Sequence, residues 1–213
     1  TKNSFDVRRQ PSINMGDVDE SEWRSWRTRP RITEDDVAPV VAVLPPDVRW
    51  AYVGSEALSL ESRYANPRKV EVRCVEGQWF DIKNMGVQEG RLPSLQEYAL
   101  GTPVVVIGEE TKKHFFPGIS PIGRELRIAN IPYTVIGVAE TQGSAFGISM
   151  DKFAIVPYAT PAHRLVNRFK VIDGITIQSN SEQQMLSTLE TVRQVMRVRH
   201  KLRPGTPDDF TLH

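Results

Sequence analysis

The sequence predicts an α+β fold: a split βαβ lobe built from both chain ends, with an inserted β-rich second lobe. Three observations carry the prediction. The chain begins strand–helix–strand, it ends strand–helix–strand, and the stretch between is a run of short strands broken by Gly and Pro. Two such flanking units can interleave into one sheet with its helices on one face, which leaves the middle as an insert. The expected division is 1–76 with 163–213 for the discontinuous lobe and 77–162 for the insert.

Each element has its own signal. Phe5-Asp6-Val7-Arg8-Arg9 alternates as a strand does. Pro11 to Arg31 is polar and irregular. Within it Ser21 to Arg27 suits one or two helical turns, with Trp23 and Trp26 on one side. Thr33-Glu34-Asp35-Asp36 is a helix start, a capping residue followed by acids in the first turn. Val37, Val40, Val41 and Leu44 follow at helical spacing until Pro45-Pro46, with Pro39 kinking or shortening the run. Val48 to Val75 alternates as strands around a breaker at Asn66-Pro67, with Cys74 as a small apolar residue of the last one. Val104 to Gly108 reads as a buried strand, and Glu109 to Phe116 as a short helix stopped by Pro117-Gly118. Arg124 to Ile128 and Ile131 to Val138 form a hairpin about Ala129-Asn130. Phe153 to Val156 is another strand. In the tail, Ile172 to Ile177 is a strand and Ser181-Glu182-Gln183-Gln184 a capping box. The next helix carries the stripe Met185, Leu189, Val192 and Met196, and basic residues crowd its end. Pro204-Gly205 stops it, and Asp209 to Leu212 closes the chain as a strand.

Composition bounds the function. The 213 residues are 39% hydrophobic and 25% charged, enough for a packed core. The formal net charge is +1, so no global field draws in nucleic acid or an anionic surface. No run approaches the roughly 18 apolar residues of a membrane span. The opening Thr1-Lys2-Asn3-Ser4 is neither a signal peptide nor an initiator, and the chain reads as cut from something longer. A single cysteine excludes an internal disulfide and argues against a structural zinc site.

Catalytic motifs are approached and missed. Gly143-Ser144-Ala145-Phe146-Gly147 has serine second, where a nucleophile elbow needs it third. Gly137 to Gly147 has no Walker lysine and no dinucleotide fingerprint. His114, His163, His200 and His213 share no helix at metal spacing and read as surface or capping residues. The acid pairs Asp35-Asp36, Glu109-Glu110 and Asp208-Asp209 read as solvated ends of helices or strands. Arg24, Arg27, Arg29 and Arg31 interleave with Trp23 and Trp26, a pattern that binds single-stranded nucleic acid elsewhere. Here Glu20, Glu22 and the acids at 34–36 flank it, so nucleic acid is not expected. The readings kept are an irregular segment pinned by buried tryptophans, or one lying near lipid headgroups.

The succession Val104–Gly108, the helix to Phe116, Pro121-Ile122-Gly123-Arg124, Leu126-Arg127-Ile128 and Pro132 to Val138 resembles the MacB-like periplasmic core domain of ABC-transporter permeases of the MacB/FtsX type. The loop Gly143 to Gly147, the strand ending Val156-Pro157-Tyr158, and the tail Arg199 to Gly205 with Asp208-Asp209-Phe210 continue the likeness. It covers about Val70 to His213; the insert Pro11 to Arg31 and Pro39 depart from the common pattern. The resemblance implies a non-catalytic domain on the periplasmic face of the bacterial inner membrane, between two membrane helices, with a membrane-proximal porter lobe and a distal lobe. It implies no cofactor, metal or catalytic residue. Its implied partners are the protein's own membrane helices, an ATPase domain or subunit, a second permease copy and, in several members, a periplasmic adaptor protein. The alternative is an extracytoplasmic domain that itself binds a lipoprotein or peptide. For partner contact the sequence nominates the loop Gln142 to Asp151, through Gly143, Ser144, Phe146, Ile148 and Met150. The competing expectation is that Phe146 and Ile148 fold back onto their own lobe.

Overall fold

A computed structural model describes residues 2–11 and 18–213. In chain order the first elements are β1 (Ser4–Arg8), α1 (Glu20–Thr28), a 3-10 turn (Glu34–Asp36), α2 (Val37–Ala42), β2 (Arg49–Ser62) and β3 (Ala65–Gly77). The middle holds α3 (Trp79–Lys83), β4 (Val87–Gly90), α4 (Leu95–Leu100), β5 (Val104–Ile107), α5 (Glu109–Phe115), β6 (Glu125–Ile128) and β7 (Ile131–Ala139). Then come β8 (Ser144–Ala145), β9 (Ile148–Ser149), β10 (Phe153–Pro157), α6 (Pro161–Val166), β11 (Gly174–Gln178), α7 (Glu182–Arg199) and β12 (Thr211–Leu212). The chain divides into two compact units: Thr1–Tyr52, Gly77–Ile82 and Phe169–His213 form unit 1, and Val53–Glu76 with Lys83–Arg168 form unit 2.

Unit 1 is a split sheet in the order β12–β1–β11–β2. Strand β1 pairs antiparallel with β11, Phe5 opposite Ile177 and Val7 opposite Ile175, and its other edge takes β12, Val7 opposite Leu212. Phe5, Val7, Ile175 and Ile177 are all buried. Helix α7 covers them through Val192 and Met196, each fully buried and contributing about 1.5–3 kcal/mol. Ser181 Oγ accepts from Gln184 N at 3.1 Å, as the capping signal predicts. The return arm differs from that signal: Gln184 Oε1 takes the N–H of Asn180 (3.0 Å). Asp36 is buried, not solvated; its carboxylate receives the Thr33 N–H at 2.9 Å and the Arg199 Nε at 2.8 Å.

Both chain ends leave unit 1 at one end of this sheet, since Asp6 and His213 exchange backbone hydrogen bonds of 2.8 and 3.1 Å. Gln178 lies opposite Ser4 at that same end. The 18 residues of α7 then run back over about 27 Å, so the basic cluster at its C-terminus lies at the opposite end. The Trp–Arg segment lies there too. Arg29 Nη1 donates to Thr211 Oγ1 (2.9 Å) and Arg9 O (3.1 Å), and Gln10 Nε2 donates to Trp26 O (3.3 Å). The helical turns expected over Ser21 to Arg27 are present as α1, which runs from Glu20 to Thr28 and is capped by Asp19. Its tryptophans are not buried: α1 has no buried residue, and Trp23 and Trp26 shield one another with ring centroids 5.6 Å apart. Residues 12–17 of the expected insert fall outside the described residues.

Unit 2 is a ring of strands, β2–β3–β10–β5–β7–β6, closed where β6 returns to β2 with Leu60 opposite Ile128. Closure removes the sheet edges that an open sheet would expose. The ring mixes senses: β10 runs parallel to β3 and antiparallel to β5, while β5 runs parallel to β7. Its buried interior is Leu60, Leu126, Ile128, Tyr133, Val135 and their neighbours. Every residue of β5 and β10 is buried. Both faces of such strands are covered, which is why Val104 to Ile107 reads as an unbroken apolar run. The turn between β6 and β7 uses Ala129 and Asn130, with φ of 49° and 66°, the left-handed pair of a type I′ hairpin. The β2–β3 turn falls at Arg63-Tyr64, three residues ahead of the proposed breaker; Asn66-Pro67 lie inside β3 near its start, where a missing N–H is tolerated.

Candidate partner-contact hairpin

Loop 142–151 is a β-hairpin of unit 2. Strands β8 and β9 pair antiparallel, Ser144 opposite Ser149 and Ala145 opposite Ile148. The two-residue turn is Phe146-Gly147, with φ of 51° and 76°. A type I′ turn needs positive φ at both positions. Glycine meets this at no steric cost, whereas phenylalanine is strained there by about 1–2 kcal/mol. Phe146 does not offset that strain by packing. Its side chain is fully exposed, with Ile148 66% and Met150 48% exposed behind it. Residues 143–150 carry no charge. The five nominated residues therefore share one uncharged tip, and the expected fold-back of Phe146 and Ile148 does not occur.

The base of the hairpin is rigid. Asp151 is buried; its Oδ1 accepts the Gln142 N–H at 2.7 Å, and its carbonyl accepts the Glu110 N–H at 3.2 Å. Met150 N donates to Gly143 O at 2.9 Å. Gly108 is needed beneath, because a Cβ there would stand 2.2 Å from Asp151 O. Sequence reading missed both: Asp151 looks like any loop acid, and the close approach at Gly108 joins residues more than forty positions apart.

The histidines do other work. His163 is buried, contrary to the surface role expected of it, and its ring meets Tyr158 at 4.3 Å between centroids. His200 Nδ1 lies 2.5 Å from Asp209 Oδ1 and edge-on to Phe210. Asp208 joins Arg193 and Arg197, with a 2.7 Å bond to the latter. The third acid pair thus departs from its expected role, since Asp208 and Asp209 are structural partners rather than solvated ends. An open groove of about 570 Å³ runs beside them in unit 1, with Val198, Leu202, Pro204 and Pro207 in its walls. Arg197 is consumed internally, donating also to Thr206 O and Arg203 O. Among the described residues no group of His, Cys, Asp and Glu is placed to hold a metal ion, and no helix is long and apolar enough to cross a membrane.

The fold is that of extracytoplasmic domains of ABC-type transporters. The extracellular domain of YknZ, a noncanonic ABC-type transporter from Gram-positive bacteria, superposes with a TM-score of 0.73 at 18% identity, over 99% of this chain and 100% of that one. The periplasmic region of MacB from Actinobacillus actinomycetemcomitans gives 0.69 at 16% identity, over 100% of this chain and 88% of that one. Residues 2–195 match the MacB-like periplasmic core domain, and the chain belongs to that family. Among curated relatives, the macrolide export ATP-binding/permease protein MacB of Shewanella sp. (strain W3-18-1) is 28% identical over 221 residues, and that of Vibrio parahaemolyticus 26% over 212. Each alignment covers 99% of this chain and 30% of the relative, so the chain spans about a third of the length of the proteins it matches.

Proposed function

We propose that this periplasmic domain of a MacB-type ABC permease is a non-catalytic coupling module. It relays motion driven by a cytoplasmic ATPase, through flanking membrane helices and in a pair of permease copies, to a periplasmic adaptor protein. The carrying observation is the hairpin tip: an uncharged, fully exposed Phe146 held in a strained turn on a base fixed by Asp151. Strain kept without packing benefit points to a contact made with something else, and an aromatic side chain on a rigid loop is a suitable anchor. The adjacent exit of both chain ends from unit 1 supports anchoring of the domain to one membrane.

The test uses the full-length permease. Phe146→Ser should lower adaptor binding or transport at least tenfold, while the unfolding temperature of the domain stays within a degree or two. Phe146→Asn, better suited to positive φ, should lose the contact and raise stability by about 1 kcal/mol. Unchanged transport in both variants would remove the hairpin as the docking site. The apolar groove beside α7 favours a second reading, direct binding of a peptide or lipoprotein. Saturable binding of such a ligand, lost in Val198→Asp, would support it.

A further inference from the structure

We propose that unit 2 carries a site for a small oxyanion, a phosphate or carboxylate, in a cleft between the start of β3, α5 and the residue before β10. The cleft has a volume of about 120 Å³, room for one such group. Its rim holds Arg68, Lys69, Lys152, His114, Glu71 and Glu110, over a floor of Val70, Thr111 and Phe115.

The balance of charge on this rim is uneven. Glu71 already has Arg73 at 3.4 Å, and Glu110 has Lys113 at 3.7 Å. Arg68, Lys69 and Lys152 make no salt bridge among the described residues, whereas each rim acid has a cation of its own. Arg68 and Lys69 are adjacent in sequence, and the fold brings Lys152 to them. Parallel pairing of β3 with β10 sets Phe153 opposite Glu71, which brings Lys152 beside Val70 and so to the end of β3 that carries Arg68 and Lys69. His114 Nε2 donates to Asn66 O at 3.3 Å, which fixes its ring at the cleft edge. Thr111 Oγ1 donates to Phe153 O at 2.9 Å, so its proton is already placed and the cations of the rim are the groups left to bind an anion. Like charges gathered at one recess repel, and an anion relieves that repulsion while gaining charge-assisted hydrogen bonds. The fork of an arginine suits a carboxylate or phosphate oxygen pair, and lysines add point charges. Lys152 follows Asp151 directly, so an anion bound here also steadies the base of the hairpin.

The test is a titration of the isotope-labelled 213-residue chain with inorganic phosphate, then acetate, followed by backbone amide resonances at ionic strength held constant with sodium chloride. Saturable shifts are expected at Val70, Thr111, His114 and Lys152, with phosphate binding more tightly than acetate. The double variant Arg68→Gln/Lys152→Gln changes only exposed side chains. It should keep its unfolding temperature in phosphate-free buffer and lose affinity at least tenfold. Glu110→Gln should bind severalfold more tightly, and this arm stands even if the double variant folds poorly. Shifts that grow linearly as they do with chloride, or a Glu110→Gln variant that binds no better, would overturn the site.

Discussion

His163 shows how much a single buried residue can set the response of unit 2 to acid. Its Nε2 takes a hydrogen bond from Asn167 Nδ2 at 3.1 Å, so in the neutral ring the proton sits on Nδ1. Nδ1 faces Glu56 Oε2 at 3.8 Å, and Tyr158 covers the ring. Burial disfavours the imidazolium and pushes the pKa from 6.5 down to about 4. The unfolded chain therefore binds a proton here that the folded chain refuses between those values. The stability contribution is fully present above pH 6.5 and is lost as pH falls toward 4, up to about 3 kcal/mol. Urea unfolding across pH 7 to 4 should show this slope, and His163→Gln should flatten it. Equal slopes in the two proteins would mean that acid acts elsewhere. No spacing in the sequence separates this histidine from a surface one, because its burial is made by Tyr158 and by Glu56 on a distant strand.

Among the elements, what sequence revealed was local and what it concealed was long-range. The β6–β7 hairpin was legible because Ala129-Asn130 is flanked by two alternating apolar runs, and α7 because Ser181 caps a continuous stripe. The β2–β3 turn was misplaced because Pro67 is also at ease in extended backbone. The closure of β6 on β2 leaves no local mark at all, since alternation tells which face a residue takes and not which strand it meets. At the candidate site the exposed tip residues were legible as a Gly-bounded loop, while the buried Asp151 that holds them was not. Asp36 belongs with the hidden features. It opens a helix as the sequence predicts, but it also joins the start of α2 to the end of α7 through Arg199. Asp36→Ala should cost about 2 kcal/mol in chemical denaturation, less than a fully buried pair because Arg199 remains 31% exposed. Arg199→Ala should cost less, since the aspartate keeps its bond to Thr33 N. A loss in Asp36→Ala no larger than in Arg199→Ala would show that the cap, not the tether, is idle.

At the scale of the whole chain, the interleaving of its two ends is the feature with the widest consequence. Strand β1 lies between β12 and β11, so the first strand of the chain is flanked on both sides by strands of its C-terminal tail. The β1–β12 ladder needs both ends of the chain in place, and a contact between positions 6 and 213 closes almost the entire chain. Joining the ends covalently should therefore stabilise without strain. His213 lies beside Asp6, two residues from the start of β1 at Ser4. A linker of roughly eight Gly and Ser residues spans that gap, at about 5–6 Å times the square root of its length when relaxed. Backbone cyclisation through such a linker should preserve the fold and raise stability by about 2–4 kcal/mol, the entropy that the open unfolded chain would otherwise keep. Thermal unfolding of the cyclic and linear forms reads the difference directly. A cyclic form that is destabilised, or that folds only with a linker several times longer, would show that the two ends do not leave the sheet side by side.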